Sequence, residues 1–178
     1  MNAEEKYQAE QIQSDKDHHT PTAGAMISHI LANLFIQRVK LRQAAYYLTG
    51  EVRGFAEPKL TQMIAEEDQL FDELSQGVLA EGELIPTTIE EFTNYAMIKE
   101  SGKLKYEATE TILTEIVADL ATQNLFITRG IALAEKEAKF GLAEFLKKLY
   151  TGIKQEQLVW QRYLGNDVKQ ADEEDDDE

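Results

Sequence analysis

The sequence predicts an all-α protein built as an antiparallel bundle of four long helices. Two observations carry this. Apolar residues recur at three- and four-residue spacing through four long segments, and no stretch alternates as a half-buried strand would. In addition, the connection between the second and third segments is long enough to hold a short helix of its own.

The first segment follows Thr20-Pro21-Thr22. Met26, Ile27, Ile30, Leu31, Leu34 and Phe35 mark one face, which continues to Val39 and Tyr46-Tyr47 before Gly50 stops it. The spacing predicts a helix over about 23–48, ~40 Å long at 1.5 Å per residue. The second opens at Glu57-Pro58, an acid and a proline suited to a first turn. Leu60, Met63, Ile64, Leu70, Phe71, Leu74, Val78 and Leu79 form its buried side, and Gly82 ends it. Thr88 and Glu91 then read as a capping box opening a short helix to about residue 96. Ile89, Phe92 and Tyr95 give that helix one apolar face.

The third long helix is expected over about 107–138, with Ile112, Ile116, Leu120, Ile127 and Ile131 on one side. Gly130 costs it roughly 1 kcal/mol relative to alanine. Phe140-Gly141 marks the junction to a fourth helix over about 142–164, carrying Phe145, Leu149, Ile153 and Trp160 and terminated by Gly165. Four antiparallel helices with one crossover make the ferritin-like topology. Residues 1–22 then form an N-terminal helical extension, 23–165 the bundle, and 166–178 an acidic tail expected to be disordered.

Composition narrows the function classes. The 178 residues hold no cysteine, which removes disulfides, thiolate metal sites and a cysteine nucleophile. Residues 1–20 are polar and lack the apolar core of a signal peptide, and the longest apolar run, about 27–36, is too short to span a bilayer. The expected location is therefore the cytoplasm. Net charge is −15, with seven acids in the last eight residues. Such a chain has no general attraction for nucleic acid, so any DNA contact must be local.

Several segments together resemble the DNA-protection-during-starvation (Dps) mini-ferritins. Lys40, Leu41, Gln43 and Gly50 match the end of that family's first long helix, with Tyr46 at its tryptophan position. Asp72-Glu73 matches an acidic pair on the second helix, and "PTTIEEF" from Pro86 to Phe92 matches the crossover segment. Trp160 with Tyr163-Leu164-Gly165 matches the close of the fourth helix. The resemblance implies a hollow homo-dodecamer that handles iron, with the crossover helix at a dimer interface. Packing of that helix on its own subunit is the alternative.

The resemblance also implies a ferroxidase centre shared by two subunits. Carried over residue by residue, its positions fall on Ala45, Glu57, Asp72 and Gln76. Only Asp72 keeps the family residue. Ala45 has no ligating atom, Gln76 replaces a carboxylate with an amide, and Glu57 stands where a histidine would, still able to bind iron. Arg42 adds positive charge where another histidine of the motif stood. Efficient iron oxidation at this locus is therefore not expected. A weak cation site at Asp72 and Glu57, or a carboxylate paired with Arg42 or Arg53, are the remaining readings.

Other candidates lie outside that locus. Glu135, Glu137 and Glu144 fall where the family forms acidic pores between three subunits, although Lys136 and Lys139 intrude and a solvated acidic surface is the alternative. Asp15, Asp17, His18 and His19 combine imidazoles with carboxylates that suit a transition metal, or form a polar linker. Lys6 and Lys16 are the two lysines of residues 1–20 and face five acids there. As one of twelve arms, such a segment gains from avidity in touching DNA. Three functions follow: an iron-binding stress-protection shell, a DNA-binding shell using the N-terminal extension, and a ferroxidase with a relocated iron site at Asp17, His18 and His19 or at Asp72.

Overall fold

A computed structural model describes residues 1–166, and of Asp17 and His18 the helical backbone alone. The acidic tail expected over 166–178 lies outside the described residues from 167 onward. The elements run α1 Ala3–His19, α2 Ala23–Tyr47, α3 Arg53–Ala80, α4 Ile89–Tyr95, a 3-10 turn Leu104–Tyr106, α5 Thr109–Lys136 and α6 Phe140–Tyr163. Among the described residues there is no strand.

The four long helices pair as two hairpins, α2 with α3 and α5 with α6, joined along a seam between α2 and α5. Ile27, Ile30, Leu31 and Leu34 of α2 meet Leu60 and Leu74 of α3, Ile112 and Ile116 of α5, and Leu146 of α6 in one core. Burying each such side chain contributes about 1.5–3 kcal/mol. Gly130 sits where a Cβ would come within 3.1 Å of Leu146 and 3.3 Å of Ile30. The missing side chain lets α5 approach α2 and α6, which offsets its poor helix propensity.

Trp160, the only tryptophan, is fully buried at the other end of the core. Its indole N–H donates to Met63 Sδ at 3.2 Å, and Phe55 and Tyr163 pack around its ring.

Three local expectations are corrected. The second long helix starts at Arg53, ahead of the expected Glu57-Pro58 opening, and Pro58 lies inside it. Val52 carbonyl already accepts from Phe55 and Ala56 N–H at 3.2 and 2.9 Å, so the first turn forms before the proline, whose missing N–H costs one bond. The turn between α5 and α6 is made by Ala138, with φ +59°, while Gly141 lies within the first turn of α6.

Val39 is 41 % exposed, whereas its neighbour Lys40 is buried at 3 %. The apolar stripe of α2 thus runs through a lysine, because α5 supplies a carboxylate to meet it.

The short crossover helix has its expected capping box, with Thr88 and Glu91 each bonded to the other's backbone. Phe92 stacks on Phe35 of α2 at 4.3 Å and meets Phe71 of α3 edge-on at 5.9 Å, so it is covered by its own chain. Ile89 on the same helix is 66 % exposed. The N-terminal extension is a true helix, capped by Asn2, but polar on every side. It reaches the bundle through Ser14, whose hydroxyl lies 3.0 Å from that of Tyr95.

Candidate metal centre

Glu57 lies one turn into α3 and Asp72 sits on the same helix fifteen residues later. At 1.5 Å per residue they stand roughly 22 Å apart. One chain therefore does not bring them to a common ion. Glu57 accepts from Arg53 Nε at 2.5 Å, and that hydrogen bond holds its carboxyl below the usual range. Of Arg42 and Arg53, it meets Arg53. Arg42 instead reaches toward Asp68 at 3.5 Å, beside Arg38, which pairs with the same carboxylate.

Asp72 and Gln76 are exposed on α3. Ala45 is buried at 5 % exposure within the bundle core.

The acids placed near a pore are used locally. Glu137 Oε1 accepts from the Ala23 N–H at 2.8 Å, capping the start of α2, while its Oε2 pairs with Lys139 at 2.8 Å. Lys139 also pairs with Glu83. Glu135 pairs with Lys147 at 2.5 Å. Glu144 is exposed, and its charge helps hold the Lys147 ammonium above its ordinary range, after the larger effect of Glu135.

In α1, His19 Nδ1 lies 2.8 Å from the Asp15 carbonyl, an intrahelical contact. The side chains of Asp17 and His18 lie outside the described residues. Lys6 and Lys16 are exposed. Among the described residues no group of three or more His, Cys, Asp or Glu side chains converges as a metal site.

What sequence reasoning missed is a layer of charge inside the bundle. Lys40 Nζ of α2 lies 2.5 Å from Asp119 of α5 and 3.8 Å from Glu115. Lys59 of α3 pairs with Glu156 of α6 at 2.6 Å. Glu67 of α3 is 7 % exposed, and its Oε2 has no hydrogen-bond partner. Burial pushes the Glu67 carboxyl well above its ordinary range; Arg38 opposes this, and the charges of Asp119, Asp68 and Glu156 add to it. Burial likewise pushes Asp119 up to about 6 despite Lys40. The signal was present: Asp119 falls three residues after Ile116 and four before Gln123, on the inward face of α5.

The crossover, the two hairpins and the inward charged layer define a ferritin-like helical bundle. A family model for the ferritin-like domain matches residues 24–173. The crystal structure of the Lactococcus lactis MG1363 DpsB protein is 40% identical, covering 93% of this chain and 95% of that one, with a TM-score of 0.88. That of DpsA from the same organism is 37% identical, covering 95% and 99%, with a TM-score of 0.90. The DNA protection during starvation protein of Listeria innocua is 24% identical over 139 residues, 78% of this chain and 89% of that one. The chain belongs to the Dps mini-ferritin family.

Proposed function

We propose that this chain assembles in the cytoplasm into a hollow homo-dodecameric shell that binds and stores iron under stress, without the dinuclear oxidation centre that two subunits of the family share. The observation supporting the second half is the fate of the inherited positions. Ala45 offers no ligating atom and packs in the core, and Glu57 is held by Arg53. Iron(II) favours mixed imidazole and carboxylate ligands with open positions for oxidant. Here Asp72 is the residue that keeps its family identity, and a lone carboxylate binds weakly.

Aerobic iron(II) oxidation with wild type and Asp72→Ala tests this reading. Equal rates, both close to buffer, support it; a fast wild-type rate abolished by Asp72→Ala restores the relocated ferroxidase. Light scattering tests the shell, which a stable monomer or dimer at micromolar concentration would contradict.

A second reading is supported by α1. This helix is polar all round, presents Lys6 and Lys16 to solvent, and touches the bundle sparingly. Repeated on every subunit of a shell, weak phosphate contacts would add up to DNA retention. A gel shift comparing the full chain with one lacking residues 1–20 tests it: unchanged retention removes α1 as the binder.

A further inference from the structure

The two hairpins meet closely along α2 and α5 but only sparingly between α3 and α6. The gap left there is a cavity of about 500 Å³. Its floor is apolar, made by Met63 and Leu70 of α3, Leu120 of α5, and Phe145, Leu149 and Ile153 of α6. Its rim is acidic, with Glu66 and Glu73 on one side and Lys148 opposite.

Two carboxylates line the wall between floor and rim. Glu67 is more than nine-tenths buried, and Glu156 faces it from α6 closely enough for its charge to act on Glu67. Lys59 engages one oxygen of Glu156 at 2.6 Å. The second oxygen of each carboxylate, Oε2 in both, is buried with no hydrogen-bond partner. Buried acceptors without donors are rare because each forfeits its interaction with water.

We propose that the α3–α6 cavity binds a primary alkylammonium ion, its ammonium group donating to Glu67 and Glu156 and its hydrocarbon chain lying on the apolar floor. An ammonium carries several donors, enough to satisfy both orphaned oxygens at once. A bare divalent ion fits poorly, since among the described residues no three ligating side chains converge and the floor supplies no oxygen to replace its hydration shell. A neutral alcohol would fill the space but brings a single donor, too few for both orphaned oxygens. The cavity lies within one chain and does not depend on shell closure or iron binding.

Calorimetric titration of the full-length protein with hexylammonium chloride tests this, with hexan-1-ol, ammonium chloride and magnesium chloride as parallel arms. The expected result is one saturable site per chain for hexylammonium, with each comparison ligand at least about tenfold weaker. Glu67→Gln keeps the shape and replaces one carboxyl oxygen with an amide donor, and should weaken hexylammonium binding roughly tenfold or more. Gly152 lines the same cavity and has open space where a Cβ would stand, so Gly152→Phe should block the site while sparing both carboxylates. Equal binding of hexan-1-ol or magnesium, an unchanged affinity in either folded variant, or no saturable binding at millimolar ligand would overturn the proposal.

Discussion

Lys40 Nζ lies 2.5 Å from Asp119 of α5, inside a bundle where Lys40 keeps 3 % of its surface. Removing one member of a buried pair leaves an uncompensated charge, so Lys40→Met should lower stability by about 3–5 kcal/mol. Replacing both, with Asp119→Leu added, should recover most of that loss. Urea titration followed by Trp160 emission, at fixed protomer concentration, measures both. A Lys40→Met loss below about 1 kcal/mol would show that the pair is effectively solvated.

Stability should fall as pH rises through the mildly acidic range. Asp119 titrates near 6 in the folded chain, against an ordinary 3.8, so the native state holds its proton where the unfolded state has lost it. Its contribution is complete below about pH 4 and disappears as pH passes about 6. Glu67, raised by burial, works in the same direction. Glu57 and Glu91 are shifted downward, so their effects lie at more acidic pH. Glu67→Gln should therefore lose less stability than wild type as pH rises above the ordinary carboxylate range, as read by thermal unfolding. Parallel curves for the two proteins would refute it.

Backbone strain should respond in opposite senses at two turns. Ala138 holds φ +59°, a left-handed conformation that disfavours a side chain, whereas Gly82 holds φ +78° at the end of α3. Ala138→Gly should raise stability by up to about 1 kcal/mol, and Gly82→Ala should lower it by about 1–2 kcal/mol. Denaturation midpoints give the sign of each directly.

Thr88 accepts from the Glu91 N–H at 3.2 Å and fixes the start of α4. Thr88→Ala should cost about 1 kcal/mol and loosen the seating of Phe92 on Phe35. Faster amide exchange confined to 89–95 and the segment after it is the expected signature; uniform change across the bundle would mean that the cap acts elsewhere.

The bundle was legible from spacing because its core is ordinary: Ile27, Ile30, Leu34, Ile112, Ile116 and Trp160 all lie where helical periodicity put them. Helix ends were less legible. Pro58 looked like a first-turn residue, yet backbone bonds from Val52 had already started the helix.

The residue types at the positions that the resemblance assigns to iron could be read from the sequence, but their surroundings could not. That Ala45 is buried and that Glu57 prefers Arg53 are properties of packing and geometry. The interior charges were missed for a related reason. A lysine on an apolar stripe reads as surface until the acid that meets it arrives from a helix almost eighty residues away.

Glu137 ties the corner between α5 and α6 to the first turn of α2, one carboxylate serving both a backbone amide and Lys139. An ion passing that corner would have to compete with those attachments, and winning would leave Ala23 N–H unpaired. Releasing Glu137 to an ion would therefore cost α2 its anchorage. Any gain in cation flux won by freeing Glu137 would loosen the first turn of α2.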